Sequence, residues 1–134
     1  MADRDFLQAN FGIEIEMTGI TRKKAANILE KHLEGTTRPV HGGFEVTAGD
    51  GRVWKIVYDG SIYTQRKTAS GIKPANKDYS VELVSPILTY DNDIDSLQEL
   101  VRKLRKAGAF SEKQNCTGIH IHLNGSDHTP RSLR

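Results

Sequence analysis

Only one cysteine, Cys116, occurs in 134 residues. That excludes an internal disulfide framework and fits a reducing compartment. No apolar run approaches the roughly 20 residues that cross a bilayer. The N-terminal Met1-Ala2-Asp3-Arg4-Asp5 also lacks a signal peptide's apolar segment. No membrane association is expected, and the cytoplasm is the expected compartment. Charge of one sign is missing too: 19 basic against 17 acidic residues leave a net charge of +2. Aromatic residues make up only 7% and do not alternate with basic ones, so the chain carries no footprint for nucleic acid. Internal repeats and low-complexity tracts are absent. A single domain over residues 1–134, large enough to bury a core, is the expected organisation.

What is present begins with Asn10-Phe11-Gly12-Ile13-Glu14-Ile15-Glu16-Met17-Thr18-Gly19. Phe11, Ile13, Ile15 and Met17 alternate with Gly12, Glu14, Glu16 and Thr18, the period of a half-buried strand. Glu14 and Glu16 then share a face, with Cα atoms about 6.6 Å apart at about 3.3 Å of rise per residue. Two like charges side by side repel, and glutamate is a poor strand former. Water offsets that cost on a solvated face; a hard cation offsets it better, because Mg²⁺ prefers carboxylate ligands. Taken alone, the pair reads as an ordinary solvated strand face.

Thr21 predicts the N-cap of a helix over residues 22–34, with Ala25, Ile28, Leu29 and Leu33 as its apolar stripe. His32 falls near its end, where a cation suits the helix dipole. Residues 35–43 read as a loop from their glycines and proline. A hairpin follows, with arms at 44–47 and 53–58 around Ala48-Gly49-Asp50-Gly51. The second arm is mostly apolar and reads as a central strand covered on both faces. Asp59-Gly60-Ser61 comes at its end, where turn chemistry is the plain explanation. Residues 64–78 form a long polar loop.

Strand character returns at 79–86, with Glu82 set among Val81, Leu83 and Val84. Asp91, Asn92 and Asp93 offer N-caps for a helix over 94–107, whose stripe is Ile94, Leu97, Leu100, Val101 and Leu104. Its basic last turns match the dipole. Ile119, Ile121 and Leu123 then alternate with His120 and His122, a pair on one strand face that suits metal or phosphate binding. Thr129 and Pro130 predict one further helix start. The chain stops soon after, as a domain incomplete at its C-terminus would.

Three strands thus present Glu14 with Glu16, Glu82, and His120 with His122, each with an apolar opposite face. The expected fold is α+β: a curved antiparallel sheet carrying these groups on its concave side, with helices packed on its convex side. Three carboxylates and a histidine suit Mg²⁺ or Mn²⁺ better than a structural zinc, which favours cysteine.

This combination resembles a family. Phe-Gly-Ile-Glu-Ile-Glu (11–16), Trp54 through Asp59-Gly60-Ser61, Glu82-Leu83-Val84-Ser85-Pro86, Gly118-Ile119-His120-Ile121-His122 and Thr129-Pro130, in that order, look like the amidoligases. These are carboxylate–amine ligases with the glutamine synthetase and glutamate–cysteine ligase fold. The resemblance covers about residues 10–133. Residues 115–122 are also similar to the glutamine synthetase signature Asn-Gly-x-Gly-x-His-x-His, with Cys116 where that signature has glycine.

The resemblance implies metal ligation by Glu14, Glu16, Glu82 and His120. It further implies nucleotide contacts from His122, Asn115 and Gly118, and a catalytic Asp59 that orients the amine. ATP and Mg²⁺ or Mn²⁺ would be the cofactors. A carboxylate and an amine would be the substrates, on a peptide or cell-wall precursor, joined through an acyl phosphate. Two rival readings stay open. One is a zinc hydrolase built on His120 and His122; the other is a non-catalytic fragment that binds metal or a partner. A sheet edge left exposed where further strands should pair predicts self-association.

Overall fold

The computed structural model describes residues 9–123 and 131–133. Strand β1 (Asn10–Met17) forms where the alternation places it, with Phe11, Ile13, Ile15 and Met17 buried and the residues between them on the other face. Thr21 caps helix α1 (Arg22–His32) by accepting a hydrogen bond from the Lys24 N–H. Then follow β2 (Thr36–Val40), β3 (Gly43–Thr47) and β4 (Val53–Val57). A hairpin of β5 (Gln65–Thr68) and β6 (Gly71–Pro74) precedes β7 (Val81–Val84) and β8 (Leu88–Thr89). Helix α2 (Tyr90–Lys106), β9 (Ile119–Leu123) and β10 (Arg131–Leu133) complete the chain.

The protein is α+β. Its main sheet runs in the order β10-β9-β1-β7-β4-β3-β2, with β8 also pairing β1, and the pairings are antiparallel. One core joins β1, β4 and β7 to Ala25, Ala26 and Leu29 of α1 and to Leu97, Leu100 and Leu104 of α2. Both helices therefore cover one face of the sheet. The other face is open. No helix among the described residues is long and apolar enough to cross a membrane.

Several expectations need correction. Residues 36–40 are a strand, not a loop: Thr36–Val40 pairs with Gly43–Thr47 across a turn in which Gly42 has φ 80°. Pro39 is tolerated because β2 ends the sheet, where one side of the strand needs no N–H donor. Most of the 64–78 stretch is likewise a hairpin, Gln65–Thr68 pairing with Gly71–Pro74 around a tight turn that Gly71 leaves with φ 113°. Strand β4 is central, but only Trp54 and Ile56 are buried, and Lys55 and Val53 face outward. Helix α2 begins at Tyr90, one turn earlier than its apolar stripe predicts. Asp93 does not cap it as the preceding residue; from inside the first turn its carboxylate accepts from the Thr89 N–H (2.8 Å). At the C-terminus, Arg131–Leu133 pairs with β9 where a helix is expected, while Thr129 and Pro130 lie outside the described residues.

Candidate metal centre

Register builds the site. Glu16 on β1 stands directly opposite Glu82 on β7, and Glu14 stands opposite His120 on β9. Ile15, Met17, Val81 and Leu83 are buried against the helices, so the strand period sends both glutamates to the open face. Two carboxylates in one cross-strand pair repel each other, an arrangement that costs stability unless something neutralises it.

Asp59 joins them from just beyond the end of β4. Its backbone is pinned by Ser80, which is 1% exposed: the Asp59 N–H donates to Ser80 Oγ (2.9 Å), and that hydroxyl donates to the Asp59 carbonyl (2.7 Å). The Ser61 N–H and hydroxyl both donate to Asp59 Oδ1, at 2.9 and 2.7 Å. Carboxylate oxygens of Glu16, Asp59 and Glu82 all lie within 4.8 Å of one another. Among the described residues, no other trio of histidine, cysteine or acidic side chains is this close.

The electrostatics follow from that crowding. Burial, then the charges of Glu14, Asp59 and Glu16, push the Glu82 carboxyl up to about 7. Burial and a hydrogen bond with Asp59 also raise Glu16. Asp59 moves the other way. Burial pulls it up, but the hydrogen bonds from Ser61, together with Glu16 and the nearby His120, outweigh that and hold it below the usual carboxylate range. The trio is thus a set of oxygens with one firmly ionised member and two that resist ionisation without a nearby cation.

The remaining candidates fall around it. His120 is close enough to Glu16 and Asp59 to favour their ionised forms. His122 Nε2 lies 3.6 Å from Glu14 Oε1, within ion-pair range but beyond a hydrogen bond, and has no hydrogen-bond partner among the described residues. Of the metal ligands expected from sequence, Glu16 and Glu82 stand in the trio. Glu14 and His120 flank it, and Asp59 takes a place beside the two glutamates.

Asn115 and Gly118 hold neighbouring segments together. Asn115 is fully buried, and its amide donates to the Tyr63 carbonyl (2.7 Å) and to Gln65 Oε1 (2.9 Å). The Asn115 carbonyl in turn accepts from the Tyr63 N–H (2.9 Å). Asn115 therefore ties the segment after Asp59 to the segment before β9. The Gly118 carbonyl accepts from the Glu16 N–H (3.0 Å). Cys116 occupies the left-handed region, φ 57°, which supplies a backbone reason for glycine at this place in the similar signature. A cleft of about 720 Å³ opens beside the trio, lined among others by Glu16, His120, Lys113 and Cys116.

Sequence reasoning missed Ser61 and Ser80 as the anchors of Asp59. Ser61 was within reach, because serine two residues after aspartate is an Asx-turn signal. Ser80, 21 residues from Asp59, offered no local signal.

A family model described as "Putative amidoligase enzyme" matches residues 7–134. No curated protein and no solved structure matches the chain.

Proposed function

The chain belongs to the amidoligase family, and from that premise we propose that it is an ATP- and Mg²⁺-dependent carboxylate–amine ligase with a glutamine synthetase-like catalytic fold. One observation carries the reading: three carboxylates from β1, the end of β4 and β7 converge to within 4.8 Å on the open face. An all-oxygen donor set fits Mg²⁺ or Mn²⁺. Glu16, Asp59 and Glu82 would hold the cation, with Glu14 and His120 available beside them. When bound, the cation would neutralise charge on nucleotide phosphates, which is the larger part of what phosphoryl transfer requires.

In this reading the γ-phosphoryl of ATP passes to a substrate carboxylate, giving ADP and an acyl phosphate. An amine then attacks the acyl carbon, phosphate leaves, and the amine loses a proton. His122, whose Nε2 has no hydrogen-bond partner among the described residues, would meet an anionic phosphate group. The cleft beside Glu16 and His120 would receive the substrates, a carboxylate and an amine on a peptide or cell-wall precursor. A zinc hydrolase is the weaker reading, because the close donors are oxygens and neither histidine is among them.

Titration with Mn²⁺, followed by electron paramagnetic resonance, tests the site. Saturable binding that weakens at least tenfold in both Glu16→Gln and Glu82→Gln is expected. Equal binding by wild type and both variants would remove the proposed centre.

A further inference from the structure

Lys55 is a cation on the open face that the metal centre does not account for. Lys55 on β4 stands opposite Val84 on β7, and Val84 stands opposite Glu14 on β1. Lys55 thus shares a face and a cross-strand row with the carboxylates, about 9.6 Å from Glu14 at two strand spacings of about 4.8 Å. On its other side it stands opposite Glu45. That would ordinarily make a cross-strand ion pair. Instead Glu45 Oε1 accepts two hydrogen bonds from Arg38, at 2.9 and 2.7 Å. Lys55 is exposed and, among the described residues, has no ion-pair or hydrogen-bond partner. Half-buried Val57 and Val84 adjoin it on the side toward Glu82.

An unpaired ammonium on a four-carbon stem, set beside an acidic cluster and across a strip of valine, is equipped to hold a second negative end of a ligand. We propose that Lys55 binds an anionic group, phosphoryl or carboxylate, of a ligand whose other end lies at the Glu16/Asp59/Glu82 centre. Lys55 is then a substrate-positioning residue, and the ligand crosses β7 over Val84. This rests on the ligase reading of the carboxylate trio, and the test separates the two.

Wild type, Lys55→Met and Lys55→Arg would each be titrated with Mn²⁺ alone. Each would then be titrated, saturated with Mn²⁺, with tripolyphosphate or with glutamate. The expected result is unweakened Mn²⁺ affinity in all three chains and about a tenfold loss of one anion in Lys55→Met, the scale of a charge-assisted hydrogen bond. Lys55→Arg should restore most of it. Loss confined to tripolyphosphate identifies a phosphoryl group; loss confined to glutamate identifies a carboxylate. Unchanged affinity for both anions in Lys55→Met, or no anion binding by Mn²⁺-loaded wild type, overturns the proposal while leaving the metal centre standing. Failure of wild type to bind Mn²⁺ overturns both.

Discussion

Glu82 is a carboxylate whose chemistry departs clearly from its sequence context. With its carboxyl at about 7 in the fold against an ordinary 4.5, the folded chain binds more protons than the unfolded chain between those values. The metal-free protein should therefore lose stability as pH rises from 4.5 through 7, and gain it as pH falls. Melting temperature measured without metal at pH 6 and pH 8 should be higher at pH 6. Glu82→Gln, which cannot ionise, should flatten that difference and melt higher than wild type at pH 8. A wild-type melting temperature that climbs from pH 6 to pH 8 would contradict the crowding described here. The run Val81-Glu82-Leu83-Val84 does not by itself foretell this shift, because it comes first from burial in the folded sheet and then from the charges of Glu14, Asp59 and Glu16 on neighbouring elements. Which residues face outward was readable at this scale, since alternation alone puts Glu14, Glu16, Glu82, His120 and His122 on polar faces. Which of them touch was not.

Strands and their connections decide that second question. Register sets Glu16 against Glu82 and Glu14 against His120, and register depends on pairing between segments far apart in sequence. The long, strongly periodic elements β1, α1 and the core of α2 were legible because a buried stripe repeats along each of them. Strand β2 and the β5–β6 hairpin were not. Their residues are mostly exposed, so the polar composition of Thr36–Val40 and Gln65–Pro74 gives no period to detect. The start of α2 was missed for a related reason, its first turn being polar apart from Tyr90.

Asn115 is the tether that makes one site out of these elements. Asn115→Ala would leave the Tyr63 carbonyl and Gln65 amide without their buried partner. That should destabilise the chain by about 1–3 kcal/mol in urea denaturation. Because the same bonds fix the segment following Asp59, Mn²⁺ affinity should fall as well. A variant as stable as wild type would mean that Asn115 holds nothing together.

At the scale of the whole molecule, labour divides between the two faces of the sheet. One face buries Ile15, Ile56 and Leu83 against the helices and supplies the stability. The other carries like charges that work against stability, which is the pattern expected where function sets the residue choice. The family match from residue 7 to 134 supports the ligase reading, and the open-face carboxylates give that reading a cation site to test. The fold class was readable from the sequence, whereas Asp59 as the third close carboxylate emerged only from the assembled molecule.

The central claim is that this acidic face serves nucleotide-dependent ligation, and calorimetric titration of MgATP tests it most directly. Wild type should bind MgATP saturably, and Glu16→Gln/Glu82→Gln, folded by circular dichroism, should bind at least tenfold more weakly. Wild-type binding that survives intact in the double variant, or no binding by a folded wild-type chain, would contradict it.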